Sequence, residues 1–319
     1  MLLGGLLPRT GRAQSDYQKL ARLVSPPGTV PIGDSLWLDE TEITNIHWAE
    51  YLHFLQKDSS AALYRSQQPN PADVQYCMKP NWDGDEFSMA ALRSTYPSVT
   101  YLPIVGITYA QAIHYCQWRT AAVNRILHSE DYLSKHARLR NYDFRVVYRL
   151  PTIQEWELAA AGGLDLAKHP LGVVHPAVHG SRQYREQLCK PKEAAACLAA
   201  AKLPGQQASA ILRMEFTVQE NVYFEATGQP FFCPGQWWNT GNPKQLIPDF
   251  VFEHSPNKYG LFNMIGNVAE LTAKRGIAKG GSFKQSIKEC AVQANFSYTQ
   301  PQPWLGFRCA CTVHITPKP

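Results

Sequence analysis

The sequence predicts a loop-rich α+β domain, and three features of its composition carry that prediction. Apolar residues make up 45% and charged residues 18% of the 319-residue chain, which is typical of a folded domain and not of a disordered one. Aromatic residues are plentiful, with 13 Phe, 15 Tyr and 8 Trp. The 21 glycines and 23 prolines indicate many turns between short elements, as opposed to a helical bundle.

The amino terminus has features of an export signal. Four leucines form a short apolar patch: Leu2, Leu3, Leu6 and Leu7. Gly11 and Ala13 then supply small residues of the kind that signal peptidase recognises. Residues 1–13 are therefore predicted to be the remnant of a secretory signal peptide whose basic start is missing. A frayed amino terminus is the alternative.

The rest of the chain is predicted to be a leader and one domain. Residues 14–34 form a polar and Pro-rich leader, and residues 35–319 a single domain with insertions at 125–148 and 164–250. No apolar run approaches the roughly 18–20 residues that a membrane-spanning helix needs. The net charge of +5 comes without a stripe of Lys and Arg interleaved with aromatics, so no nucleic-acid partner is indicated.

The first half of the domain shows two amphipathic helices. A short strand at Leu36–Leu38 precedes a helix capped by Thr44 or Asn45, whose apolar residues recur at helical spacing. Residues 58–100 have no periodicity and are predicted as loop. A strand at Leu102–Ile107 then leads into a second helix, capped by Thr108.

The second half is more irregular. The basic segment 125–148 is predicted to be a solvated helix face, with a docking surface for an acidic partner as the alternative. Thr152 and Glu155 have the spacing of a capping box, and Gly162 with Gly163 ends the helix that they start. The Ala-rich residues 194–201 suggest one helix, and the last third predicts short strands and tight turns.

Four sets of motifs occur in a fixed order along the chain. They are Asp39–Asn45; Pro103–Thr108 with Tyr115–Trp118; Arg149–Gly163; and Asn257–Glu270 with Lys279–Phe283 and Gly306–Cys309. Together they resemble the formylglycine-generating enzyme (FGE), or sulfatase-modifying-factor, domain family. The resemblance implies the compact α+β fold of that family, which is related to C-type lectins and has little regular secondary structure.

The resemblance also implies a structural calcium ion. The family's N-M-x-G-N-x-x-E loop would supply ligands from the side chains of Asn263 and Glu270 and from the carbonyls of Gly266 and Val268. Hard oxygen donors from such a turn suit Ca²⁺. An ordinary turn with Glu270 in a salt bridge is the alternative.

A disulfide between Cys116 and Cys309 is implied in the same way, by the family's Y-C-x-W and G-F-R-C segments. The family's second bridge cannot form, because its other half falls at Ala160. The pairing of the other cysteines stays open: Cys77, Cys189, Cys197, Cys233, Cys290 and Cys311.

The catalytic members of the family bind Cu(I) between two thiolates that follow the G-G-S turn. In this chain the first of these positions falls on Gln285, and Cys290 occupies the second only in an ungapped alignment. A single thiolate is a poor Cu(I) site, so copper is not expected and an enzyme is less favoured than a non-catalytic protein. Cys290 is the one catalytic candidate if the enzyme alternative holds.

Histidines and tryptophans provide the other candidate sites. His169, His175 and His179 are close in sequence, but the intervening prolines argue for plain loop histidines over a metal site. A lectin-like surface around Trp237, Trp238 and Trp304 would bind a glycan or a peptide.

In detail the motifs resemble most the gliding-motility and type IX secretion lipoproteins J and K. These are envelope proteins of Gram-negative bacteria that assemble with partner subunits. The resemblance implies a non-catalytic scaffold or binding protein, exported to the periplasm or the outer membrane and acting with envelope partners in a larger assembly. The alternatives are a copper-dependent formylglycine-generating oxidase or other modifying enzyme, and a lectin-like binding module.

Overall fold

The computed structural model describes residues 19–78, 86–94, 99–172, 224–225, 230–231, 247–252, 256–285 and 289–319. Residues 19–23 are helical. The helices that follow are α1 Asn45–Asp58, α2 Ala61–Ser66, α3 Pro71–Met78, α4 Met89–Ser94, α5 Tyr109–Leu127, α6 Glu130–Lys135 and α7 Ile153–Ala161. Its strands are β1 Thr29–Pro31, β2 Leu36–Asp39, β3 Tyr142–Arg149, β4 Phe224–Glu225, β5 Pro230–Phe231, β6 Ala269–Leu271, β7 Ile277–Lys279, β8 Phe296–Ser297, β9 Leu305–Gly306 and β10 Ala310–Pro317. Ala137–Asn141 adds a 3-10 turn between α6 and β3.

Four antiparallel strands form the main sheet in the order β1-β2-β10-β3. The last strand of the chain, β10, is thus an inner strand, and Cys311 on it lies opposite both Trp37 and Tyr148. A smaller sheet has the order β8-β7-β6-β9, in which β6 and β9 run parallel. On it, Glu270 lies opposite Lys279 and Gly306, so the three segments of the last motif set meet in this sheet.

The two predicted amphipathic helices are confirmed. Thr44 caps α1, and Trp48, Tyr51, Leu52 and Leu55 form its buried face. Thr108 caps α5 in a capping box with Gln111. These caps satisfy backbone N–H groups that the first turn of a helix leaves without partners.

The capping box at Thr152 is also confirmed. The Glu155 carboxylate accepts a hydrogen bond from Thr152 N at 2.9 Å, and Glu155 N donates to the Thr152 hydroxyl at 3.2 Å. Gly162 ends α7 in the left-handed region, with φ of 57°, as a C-terminal glycine does.

Three predictions of secondary structure were wrong. Residues 58–100 contain the short helices α2, α3 and α4. Residues 102–107 do not form a strand, and only Pro103 makes an isolated bridge, with Thr44. The polar segment 125–148 ends in β3, which alternates the buried Phe144 and Val146 with the exposed Asp143 and Arg145. Such alternation is typical of a strand with one face on the core.

The main core lies between the main sheet and the helices α1 and α5. Aromatic rings fill its centre, where Trp48 stacks on Tyr115 with ring centroids 5.5 Å apart and both contact Phe307 edge-on. Among the helices that the structure describes, none combines the length and the apolar character that a membrane crossing requires. The predicted helix at 194–201 lies outside the described residues.

Candidate functional site

The N-M-x-G-N-x-x-E loop forms a buried turn beneath the smaller sheet. Asn263 and Asn267 adopt positive φ values of 53° and 56°, and Gly266 one of 80°. Asn tolerates this left-handed backbone better than most residues, because its short polar side chain can form local hydrogen bonds. The turn directs both asparagine side chains towards one buried carboxylate.

That carboxylate belongs to Glu42, which is fully buried. Its two oxygens accept hydrogen bonds from Nδ2 of Asn263 at 3.2 Å and from Nδ2 of Asn267 at 2.9 Å. Loss of solvation raises the pKa of Glu42 to about 7, although the positive charge of Arg308 opposes the rise.

Arg308 forms a buried ion pair with Glu270. Its Nε donates to Oε2 of Glu270 and its Nη2 to Oε1, both at 2.7 Å. Its remaining donors bind the backbone oxygens of Asp39, Glu40 and Phe262. Trp156 Nε1 donates to Oε2 of Glu270 at 2.7 Å. All five N–H groups of the guanidinium are therefore satisfied, as burial of a charge requires.

These contacts bear on the implied calcium ion. Both oxygens of Glu270 already accept from Arg308 or Trp156, and the amide nitrogen of Asn263 donates to Glu42 and to the Val251 carbonyl. A guanidinium beside Glu270 repels a divalent cation. In this arrangement the Glu270 carboxylate does not fit a calcium cage. Calcium binding by Asn263, Gly266, Val268 and Glu270 stays a prediction.

The G-G-S turn follows β7. Gly280 and Gly281 have φ values of 89° and 69°. A Cβ added to Gly281 would overlap Sγ of Cys290, so glycine is required there for both backbone and space. Next along the turn, the Ser282 hydroxyl donates to Oε1 of Gln285 at 2.5 Å.

Cys290 lies inside the core and not in an open site. It is fully buried in the apolar cluster that contains Leu38, Trp156 and Ile265. Burial raises the pKa of its thiol to about 12, so the thiolate that binds copper is strongly disfavoured. Cys77 is also buried, and its Sγ donates to the Pro303 carbonyl at 3.1 Å.

The sulfurs of the predicted disulfide are close together. Sγ of Cys116 and Sγ of Cys309 lie 3.6 Å apart as free thiols, and both residues are buried. A bond needs a separation of about 2.05 Å, which small side-chain movements could supply. The disulfide itself stays a prediction.

The remaining sequence candidates are scattered. His175, His179, Trp237, Trp238, Cys189, Cys197 and Cys233 lie outside the described residues. His169 is partly exposed, and Trp304 is half-buried against the core. Within the described ranges, no cluster of three His, Cys, Asp or Glu residues could hold a metal ion. In the basic segment, Lys135 pairs with Asp131 and Arg140 with Glu130, which favours the solvated-face interpretation.

Sequence reasoning missed a groove between α1 and α5, which we call the α1–α5 groove. Its cavity has a volume of about 360 Å³, and it is lined by His47, Glu50 and Phe54 of α1, by Trp118, Arg119 and Ile126 of α5, and by Asp39 and Glu42. The motif residues Asp39, Glu42 and Trp118 were interpreted only as marks of the fold. The spacing of His47, Glu50 and Phe54 along one helical face was the available signal.

Comparison with known proteins gives one strong result. Residues 2–313 match the model of a protein family that is described as "Sulfatase-modifying factor enzyme 1-like domain". No curated protein matches significantly.

Solved structures resemble this chain at low identity. PvdO from Pseudomonas aeruginosa is 13% identical, with a TM-score of 0.45 over 87% of this chain and 80% of that one. Treponema denticola variable protein 1 is 17% identical, with a TM-score of 0.42 over 87% and 84%. CarF is 16% identical, with a TM-score of 0.36 over 87% and 86%. Because the family match covers nearly the whole chain, the protein belongs to the family of sulfatase-modifying factor enzyme 1-like (FGE-sulfatase) domains.

Proposed function

We propose that this protein is a non-catalytic FGE-like scaffold or binding protein of the cell envelope. The observation that carries the proposal is the state of the copper positions beside the G-G-S turn. Gln285 stands where the first thiolate would be, and its amide oxygen is occupied by the Ser282 hydroxyl. An amide oxygen is a hard ligand and does not replace a thiolate for Cu(I).

The second copper position supports the same proposal. Cys290 has no exposed surface, and its sulfur packs against Gly281. A substrate cysteine and O₂ must both reach the metal in a copper-dependent oxidase, which this packing prevents. The intact fold motifs are instead what a scaffold retains when its catalytic ligands are lost.

The finer parts of the proposal come from the sequence. The apolar patch at Leu2–Leu7 and the eight cysteines support export to the periplasm or the outer membrane. The resemblance to the gliding-motility and type IX secretion lipoproteins supports membership of an envelope assembly. A crosslinked pulldown from the native envelope tests this part, and it should recover the same protein subunits reproducibly.

A copper titration of the reduced protein tests the loss of catalysis. Thiolate-to-metal absorbance should show no tight 1:1 Cu(I) complex that depends on Cys290. The matched control is Cys77→Ser, because Cys77 is equally buried but lies on α3. Tight 1:1 binding that Cys290→Ser abolishes and Cys77→Ser retains would overturn the proposal in favour of the oxidase alternative.

A further inference from the structure

The α1–α5 groove has an apolar end with exposed side chains. Phe54 is 38% and Ile126 is 62% exposed, although both are large apolar residues. Trp118 lies beside Phe54, with ring centroids 5.9 Å apart, and packs on Tyr51 and Tyr115 at 5.2 and 5.6 Å. Because the aromatic core holds the Trp118 ring in place, this end presents a preformed apolar wall.

The other end of the groove is polar and contains a buried ion pair. Asp39 is only 3% exposed, and its Oδ2 accepts from Arg119 Nη1 and from Cys309 N, both at 2.8 Å. Oδ1 of Asp39 has no hydrogen-bond donor among the described residues. A buried carboxylate oxygen without a donor costs free energy, so a ligand donor reaching Asp39 would be stabilising.

Arg119 is not available to an anionic ligand. Its Nη1 binds Asp39, its Nη2 donates to the Pro27 carbonyl at 2.8 Å, and its guanidinium stacks on the Tyr148 ring at 4.2 Å. Its charge is therefore balanced by Asp39.

Glu50 adds a negative charge to the groove that the Asp39–Arg119 pair does not balance. Its side chain is exposed on the groove, and within the described part of the chain its carboxylate forms no ion pair or hydrogen bond. His47 Nδ1 accepts a hydrogen bond from Thr44 N, and loss of solvation lowers the pKa of His47, so its ring is neutral and does not offset Glu50. The net charge at the polar end is negative.

We propose that the α1–α5 groove binds a small amphiphilic cation, with its ammonium group at the Glu50–Asp39 end and its apolar tail against Trp118 and Phe54. A volume of about 360 Å³ is at the lower end for small-molecule sites, which suits a compact molecule. The inference is independent of the copper question, because none of these residues lies at the G-G-S turn.

The test uses 2-phenylethylamine as the probe, with calorimetry and indole fluorescence on the full chain. Its matched controls are 2-phenylethanol, which lacks the charge, and 3-phenylpropionate, which reverses it. We expect 1:1 binding of the amine, and binding of the two controls weaker by about tenfold or more, since one charge contact is worth roughly that factor.

Two exposed substitutions localise the binding. Glu50→Gln should weaken the amine by about three- to tenfold, and Phe54→Ala by a similar factor, without unfolding the protein. Asp58→Asn, an exposed change on the same helix outside the groove, should have no effect. The proposal is overturned if the amine fails to bind at roughly 10 mM, if all three probes bind equally, or if Glu50→Gln leaves its affinity unchanged.

Discussion

Sγ of Cys116 on α5 lies 3.6 Å from Sγ of Cys309, just before β10, in the centre of the main core. The two residues are 193 positions apart in sequence, so a bond between them would close a very long loop. Chain-entropy arguments give about 4–5 kcal/mol of stabilisation for such a loop, although strain and residual unfolded structure reduce it.

We therefore expect oxidation to raise the melting temperature and to protect two thiols from alkylation under denaturing conditions. Cys116→Ala should remove the dependence of the melting temperature on reductant. Cys311→Ala should keep it, because Cys311 is also buried but lies on β10, outside the predicted pair. Equal melting curves with and without reductant would show that the pair remains two thiols.

The ion pair of Glu270 and Arg308 leads to a second prediction. Glu270→Gln leaves a buried guanidinium without its counter-ion, and should lower the free energy of unfolding by about 3–5 kcal/mol. Adding Arg308→Met to Glu270→Gln should recover part of this loss, because the unpaired guanidinium is then removed as well. Urea titrations of the two variants measure the difference.

Chelation separates this account from the calcium prediction. If Arg308 alone neutralises Glu270, a chelator should leave the melting temperature of the native protein unchanged. If a chelator lowers the melting temperature, and Glu270→Gln abolishes that effect, then calcium binds at Glu270. Arg308 would in that case have to release the carboxylate.

Glu42 makes stability depend on pH. Its folded pKa of about 7 lies above the ordinary carboxyl value, so between these two values the folded state binds more protons than the unfolded state. The contribution of Glu42 to stability is thus fully present below the ordinary value and is lost as pH rises through about 7. The loss is on the order of 3 kcal/mol.

Urea unfolding at pH 5.5 and at pH 8 measures the larger part of this loss, because the rest occurs between the ordinary carboxyl pKa and pH 5.5. Glu42→Gln should flatten the dependence, whereas Glu130→Gln on the exposed surface should leave it intact. A native protein that is equally stable at both pH values would contradict the assignment to Glu42.

Gly281 provides a steric prediction. Gly281→Ala forces positive φ on alanine and places a methyl group against Sγ of Cys290, so it should cost about 2–4 kcal/mol. Gly276→Ala is the matched control, because its φ is +86° but the nearest neighbour of a Cβ is 3.8 Å away. It should cost only about 1–2 kcal/mol. Cys290→Ala should partly rescue Gly281→Ala but not Gly276→Ala.

The parts of the fold that were predictable from sequence are those with local causes. The caps at Thr44, Thr108 and Thr152 satisfy backbone groups within three residues of themselves, so their side chains identify the helix starts. The helices α2 and α4 are only six residues long and depend on tertiary packing, which leaves no clear periodicity. Arg145 and other charges on β3 hid a strand whose opposite face is in the core.

The candidate sites were less predictable, because their partners are distant in sequence. Asn267 meets Glu42 across 225 positions, and Arg308 reaches the carbonyl of Asp39 across 269. The motif residues were found in the sequence, but which of them pair, and with what charge balance, follows only from the fold. The α1–α5 groove depends in the same way on two helices lying side by side.

The inner position of β10 has a consequence for synthesis. Both neighbours of β10, β2 and β3, are made well before it, and β2 meets β3 only through it. The main sheet therefore cannot close until residues 310–317 have been synthesised. Until then the apolar faces of α1 and α5 lack the sheet that covers them in the folded protein. Chains that fold through such distant contacts do so slowly and are prone to aggregate in the interval.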